Sequence, residues 1–499
     1  AKFGIDIVIP GMKYATVVRS PVFGGSVESI DDSVARSMTG VIDVVNLDNA
    51  VAVVADGFWQ AKQALAAVGI TWRNEGNERV NQADIYTAFR TDLDSASTLN
   101  EWNEDRVEGD IDSALERGNV LEVEYRVPYL AHAAMEPLNA TARVVDGDVE
   151  VWTGTQNPLG FRMEIAQALD IDLEQVKVYN AYLGGGFGRR AQGDYAVQAA
   201  RIARAINQPV KLIWTREEDM RQDNYRPAIL SRFKGALDEQ GRPTAWQNEY
   251  VDKHEPAEAP LIPYAIANQR IRYTSSPTHV PFGPWRSVDH SQHGFFTESF
   301  IDEFAVLAQK DPFEFRRDLL SQQERHKAVL ELAAEKAGWG PVMAAGQGRG
   351  ISLQQSFGTI VAQVVDVTVM EGSVRVDRVV CAVDPGFAVS PDALVAQMES
   401  GIIYGLTAAL YGEIEIKNGA AVQSNFHDYQ MVRMDTAPVI ETHVITSHAH
   451  WGGAGEPGTP GIAPALANAI FNATGTRIRQ LPVKNYDLRY RITEPDEVV

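Results

Sequence analysis

Two glycine-rich loops constrain this chain more than any other feature: GGGFGRR at residues 184–190 and GGAGEPGTPG at 452–461. The first follows an alternating, strand-like stretch, Val176–Leu183, and precedes a helical pattern over Asp194–Ile206. The second precedes a helix expected over Ala463–Thr474 and closed by Gly475. Glycines permit positive φ and close backbone approach, so such a loop can turn its N–H groups toward an anion or a cofactor. A helix N-terminus nearby adds favourable potential for phosphate. GGGFGRR is not a P-loop, because the Lys-Ser/Thr pair is missing. A tight strand-to-helix turn explains it equally well from the residues alone. GAGEPG fits G-x-G-x-x-G, yet Pro457 and Pro460 interrupt the turn and it lies at the wrong end of the chain for a first βαβ unit. Glycine and proline there fix a rigid loop presenting one ionisable group, Glu456. A buried glutamate has a raised pKa and can act as a base near neutrality. The ordinary alternative is a solvated surface carboxylate.

The 499 residues suggest about three domains. The element pattern is α+β: strand Val51–Ala55 followed by a helix near residues 59–68, a helix begun by Asn157-Pro158, a helix over 297–309, and a hairpin of strands 360–369 and 374–383. A long helix starts at Ser390-Pro391. The expected division is a small domain over 1–75, a polar linker or surface excursion over 76–118, and two mixed α+β regions over 119–322 and 323–499. A net charge of −21 argues against nucleic acid and anionic membrane as partners. No run of 18 apolar residues appears, so no transmembrane segment is expected. Cys381 stands alone, so this chain cannot supply a Cys-ligated iron–sulfur cluster.

Other polar residues sit in glycine- or proline-rich settings: Gln156 in TGTQNP, Arg226 in DNYRP, Arg286 in GPWRS and Gln397 in VAQMESG. Each taken alone reads as a structural hydrogen-bonding or surface group. His132, His290 and His293 lack the spacing of a zinc site.

Taken in order, TQN, GGGFG, REEDM followed by an arginine, WRS, DPFEFRRDLL, QMESG and GEPG resemble the molybdenum-binding subunit of the xanthine dehydrogenase and aldehyde oxidoreductase family. GPWRSV, GGGFGRR and GEPGTPGIAPALANAIF are most similar to the family's isoquinoline 1-oxidoreductase group, in its β chain. The resemblance implies a small α/β hammerhead domain, opening on GMKYATVVRSPVFGGSVESID, followed by two molybdenum-cofactor-binding domains. It implies molybdenum-molybdopterin, in the cytosine dinucleotide form, with the metal held through the pterin dithiolene and by no side chain. Gln156 would bond a molybdenum oxo ligand. Gly185, Gly186, Phe187 and Gly188 would pass beside metal and pterin, and Arg286, Gln397 and Gly455 would line the cofactor. Arg226 and Val288 would contact substrate. Glu456 would be the base, taking a proton from a metal-bound hydroxyl whose water-derived oxygen attacks an electron-poor carbon while hydride moves to a sulfido ligand. The substrate is then an N-heteroaromatic compound, or alternatively an aldehyde.

The sequence departs from the family in three places. Arg189, Arg190 and Ala191 stand where the xanthine enzymes have Gly-Lys-Glu, and Val288 replaces a stacking phenylalanine. The E-M-G-Q-G pterin segment is absent, with only 76 residues (positions 321–396) between Leu320 and Gln397. In the isoquinoline-type group that segment precedes the hammerhead domain. The expectation is therefore a separate subunit or the C-terminal product of a cleaved precursor, with a second chain completing the cofactor pocket. A [2Fe-2S] subunit would take the electrons, a cytochrome c is a further candidate partner, and the resemblance points to the periplasm over the cytoplasm. Two other classes compete: a nicotinamide-dependent dehydrogenase using GAGEPG, and a binding module with a decayed site, against which the presence of both Glu456 and Gln156 argues.

Overall fold

The computed structural model describes residues 1–489, so the last ten residues of the expected third region lie outside the described ones. Three sheets organise the chain. The first has seven strands, ordered Val176–Asn180, Asp148–Thr153, Asn139–Val145, Val210–Ile213, Lys13–Arg19, Ala50–Ala55 and Val41–Asn46. Its central seam is parallel, Lys13 opposite Val210. The strand Ala50–Ala55 is buried on both faces, as its unbroken small apolar run requires. Helices Pro158–Leu169 and Asp194–Ile206 cover one side through Phe161, Ile165, Tyr195 and Ile202. Asn157 caps the first, accepting the Gly160 N–H, with Pro158 beginning the helix.

This sheet removes the boundary expected at residue 75. Strands from 1–75 pair directly with the 139–213 segment, and only the small ribbon Ser26–Asp31 with Gly69–Arg73 stands apart. The expected linker over 76–118 is also corrected. It holds the 18-residue helix Gln82–Leu99, the strand Asn103–Glu108 and the helix Ile111–Arg117. Polar composition hid a narrow apolar stripe, Ile85, Phe89, Leu93 and Ala96, that packs inward at helical spacing.

The second sheet runs Asn103–Glu108, Asn268–Thr274, Pro243–Val251, Ile229–Leu237, Asn119–Val127. The third runs Gln347–Ser356, Thr359–Met370, Ser373–Asp384, Val439–Val444. One continuous core joins them, so 119–322 and 323–499 are not separate cores. Between them lies the helix His290–Leu307, buried almost all round, which starts seven residues before its expected position because His290 to Phe296 are sequestered despite their polar members. The DPFEFRR segment forms a short helix, Pro312–Asp318, capped by Asp311. Its Arg316 is fully buried against Glu298 at 2.9 Å and Asp302 at 3.3 Å.

Helix Ile462–Thr474 lies directly on the strand Gln347–Ser356. A Cβ at Gly350 would come within 2.3 Å of the Ala465 carbonyl oxygen, so only glycine permits this contact. The close contact fixes where the loop 452–461 begins its helix. Helix Pro391–Leu410 has the length and mean hydropathy (1.3) of a membrane span, yet 61% of that stretch is buried inside the protein, as in a core helix. Cys381 is buried in the third sheet, and burial pushes its thiol up to about 12.

Candidate active site

The structure gathers the two glycine loops around one cavity of about 600 Å³. Gln156, Gly186, Phe187 and Gly188 line it from the first sheet's connections, and Arg286, Gln397, Gly455 and Glu456 from the rest of the chain. Of the expected cofactor-side residues only Gly185 does not reach the cavity. Its carbonyl accepts Nε of Arg190 beneath the loop.

Phe187 and Gly188 both have left-handed backbones, φ 54° and 109°. At Gly188 a Cβ would lie 1.6 Å from the Pro284 carbonyl oxygen, so this position admits no side chain. The loop's two arginines do not face the cavity. Arg190 is fully buried, paired with Glu136 at 3.1 Å and donating to the carbonyls of Gly185 and Glu136. Glu136 also accepts the N–H groups of Gly184 and Ile5. Arg189 pairs with Asp194 at 2.8 Å and Asp223 at 3.0 Å. These side chains are an ionic floor under the loop, and they leave no cation there for a phosphate. Nor does the loop run straight into its helix, since a short 3-10 turn, Arg189–Ala191, intervenes.

Gln156 accepts the Gly188 N–H at 3.1 Å through Oε1. That bond fixes the amide's orientation, because an N–H donor needs the oxygen. Nε2 is left as a donor with no protein partner among the described residues.

Arg286 is the hub on the other side. It donates from Nε to the Gly455 carbonyl at 2.8 Å, from Nη1 to Ser400 Oγ at 2.8 Å and from Nη2 to Gln397 Oε1 at 2.9 Å. Its guanidinium therefore braces the pocket rather than reaching freely into it. Burial without a bonded carboxylate holds its pKa below the usual arginine value. Glu456 is half-buried, not buried as expected, and accepts the Ser287 N–H at 3.1 Å. To supply that donor the chain places Ser287 (φ 79°) and the β-branched Val288 (φ 44°) in the left-handed region, a strain of the kind that concentrates at functional sites.

Arg226 and Val288 are brought together, but in a neighbouring cavity of about 300 Å³ that shares Pro284 and Trp285 with the first. The rings of Phe187, Tyr404 and Trp285 stack in series, each step 4.6 Å, and the Arg226 guanidinium lies 5.6 Å from the Trp285 ring. Arg226 is buried, donates to the Pro128 carbonyl, and leaves Nε without a partner. Burial pushes its pKa down to about 10.

Three contributors escape a reading of the sequence. Ser400 lies one helical turn after Gln397, so i, i+3 spacing could have found it. His132, whose spacing does not suit zinc, has a different role. It is buried, with Nδ1 3.0 Å from the Asp223 carboxylate and Nε2 2.8 Å from the Pro284 carbonyl. It thus ties the ionic floor to the loop that carries Arg286. Asp223, held below the usual carboxylate range by His132 and Arg189 against the cost of burial, completes this tie. No local pattern marks either residue, because their partners lie about 90 and 150 positions away.

Comparison with known proteins agrees with this geometry. Models of the molybdopterin cofactor-binding domain match residues 95–320 and 303–438. The chain is 31% identical to the beta subunit of isoquinoline 1-oxidoreductase from Brevundimonas diminuta, over 97% of this chain and 66% of that protein. It is 31% identical to the membrane-bound aldehyde dehydrogenase (pyrroloquinoline-quinone) of Gluconacetobacter polyoxogenes, over 98% of this chain and 70% of that one. It is 28% identical to a nicotinate dehydrogenase subunit from Pseudomonas putida, over 96% of this chain and 44% of the relative. The chain thus spans between 44% and 70% of these relatives' lengths. The fold matches quinoline 2-oxidoreductase from Pseudomonas putida 86 with a TM-score of 0.82 at 14% identity, covering 96% of this chain and 94% of that one. From fold, cavity and relatives together, the chain belongs to the molybdopterin-binding subunits of the xanthine dehydrogenase family.

Proposed function

We propose that this chain is the molybdenum-cofactor subunit of an oxidoreductase that hydroxylates an electron-poor carbon of an N-heteroaromatic substrate with oxygen from water. The observation that carries the reading is the single cavity that joins a free amide donor, Gln156 Nε2, to a carboxylate, Glu456, on a glycine-lined wall where no side chain fits at Gly188. A bulky, anionic, planar group fits such a site. The backbone approaches it closely, Gln156 offers a donor, and the buried charge of Arg286 has no bonded carboxylate to neutralise it. Gln156, Gly186, Phe187, Gly188, Gln397 and Gly455 would hold the cofactor. When bound, molybdenum-molybdopterin supplies the two-electron acceptor. The cytosine dinucleotide form is part of this proposal.

Glu456 does the proton work. Its oxygen would take a proton from the attacking water-derived hydroxyl as the carbon–oxygen bond forms and the C–H bond of that carbon breaks, the hydride's two electrons being those that the bound cofactor would accept, while the Ser287 N–H holds the carboxylate in place. The second cavity would receive the substrate ring beside Trp285 and Val288, with the buried Arg226 side chain in its wall. Its walls are mostly apolar, which suits a flat aromatic compound.

In this reading electrons leave through a partner, because these 499 residues hold one cysteine, Cys381, and cannot ligate an iron–sulfur cluster themselves. A [2Fe-2S] partner, a chain completing the cofactor pocket, a cytochrome c and a periplasmic location belong to this proposal. Subunit identification and fractionation of the native complex test them. The activity test is metal and pterin analysis of that complex with a substrate panel. Molybdenum, pterin and turnover of quinoline-like rings are expected. Turnover of aldehydes alone would replace the substrate class, and NAD(H) binding with no molybdenum would overturn the reading.

A further inference from the structure

The outward flank of helix 391–410 is the least finished surface around the cavity. Ala393, Ala396, Gln397, Glu399 and Ser400 are exposed along it. Large apolar side chains stand open on both sides: Phe387, Val389 (74% exposed) and Trp451 on one, Met434 (97%) and Val439 on the other. Two grooves run beside the helix, and both adjoin the cofactor cavity through shared wall residues. One, of about 420 Å³, shares Gln397 with it. The other, of about 590 Å³, shares Phe187 and Ser400.

The larger groove ends at the strand Val439–Val444, the edge of the third sheet. This strand pairs in parallel with residues 378–383, and no strand lies on its other side among the described residues. The Ile445 N–H bonds the Val383 carbonyl at 2.8 Å. Alternation along a parallel ladder then turns the N–H and C=O groups of Ile440, Thr442 and Val444 outward. The sequence VIETHV contains no lysine or proline and the pairing shows no bulge; its one carboxylate, Glu441, is tied to Arg378 of the neighbouring strand, so these common blunting devices leave the outward main-chain groups open.

We propose that a β-strand of the companion chain adds to this edge and lies in the groove along helix 391–410. Its apolar side chains would seat against Ile403, Met431 and Ile440, closing the cofactor cavity over Gln397 and Ser400. The inference rests on the two-chain reading above and assigns it a place and a mode. Length supports the occupant: the chain spans only 66% of the isoquinoline relative, so about a third of that relative's polypeptide has no counterpart in this chain. A second copy of this chain is disfavoured, because each copy brings a charge of −21. Main-chain pairing supplies the affinity and the groove the selectivity, as in other strand additions.

Hydrogen exchange on the isolated chain and on the native complex tests this. The amides of Ile440, Thr442 and Val444 are expected to slow at least tenfold in the complex. Thr442→Pro removes an outward donor that this chain does not use, and edge strands tolerate proline there. It is expected to weaken assembly at least tenfold and lower cofactor retention, with the isolated chain's Tm unchanged. Should Thr442→Pro disturb folding, Met434→Asp with Val439→Lys alters only exposed side chains and carries the same expectation. A complex that forms with these amides unprotected and both variants assembling normally overturns the docking surface and leaves the two-chain reading intact. Protection found in a homodimer would overturn the assigned occupant. A native, cofactor-loaded enzyme without any companion chain would instead overturn the two-chain reading.

Discussion

The two glycine loops share a cavity but are built in opposite ways. The 184–190 loop is clamped: three of its residues have left-handed backbones, Gly188 touches a carbonyl, and two buried arginines anchor it to Glu136, Asp194 and Asp223. Around 455–456 the chain is held by hydrogen bonds from or to one charged group, Arg286 or Glu456, and by no ion pair among the described residues. A Cβ at Gly455 would meet nothing within 4 Å, Glu456 is half-exposed, and Arg286 ties the loop to a helix face that is itself exposed. One wall is complete within this chain. The other carries the base and depends on what packs over it.

Breaking the ionic floor is expected to have the largest effect. Arg190→Met strands the buried Glu136 carboxylate and should cost about 3–5 kcal/mol in thermal unfolding. Gly188→Ala forces a side chain against Pro284. A loss of about 3 kcal/mol, or a matching loss of bound pterin, is expected. A variant as stable and as cofactor-rich as the parent would show that the clamped wall is not clamped.

How much of this could be read from the sequence follows the same divide. The loops, their glycines and Glu456 were legible because backbone geometry leaves glycine and proline in the sequence. Helices 158–169 and 194–206 were legible from period and capping. The role of Arg189 and Arg190 was not. Adjacent arginines after glycines look like anion ligands, and only long-range pairing with Glu136 and Asp223 shows them buried. The boundary at residue 75 failed for a related reason. A parallel pair such as Lys13 with Val210 leaves no local signal. The amphipathic helix 82–99 was lost because its polar face outweighed its stripe.

Smaller effects sharpen the contrast. Glu218 sits near the floor, accepting the Arg19 N–H, and burial raises its pKa from 4.5 to about 8. The folded state therefore keeps a proton that the unfolded state releases. This contribution is fully present below about pH 4.5 and fades as pH rises toward 8. Glu218→Gln should match the parent at pH 4 and gain on the order of 2 kcal/mol at pH 8 in paired melts. On the open wall, Arg286→Lys loses the forked contacts to Gly455 and Gln397, and kcat/KM should fall about tenfold with Tm little changed. Gly455→Ala should move stability by less than about 0.5 kcal/mol, since the position is roomy. A large destabilisation there would erase the contrast with Gly188.

The central claim, that Glu456 is the base of a molybdenum site, is tested most directly by Glu456→Gln in the assembled, cofactor-loaded complex. The amide keeps the shape and can still accept the Ser287 N–H, but it cannot take a proton. Turnover is expected to fall by about 10²–10⁴-fold with molybdenum and pterin content unchanged. Parent-like turnover in a fully loaded variant would contradict the assignment.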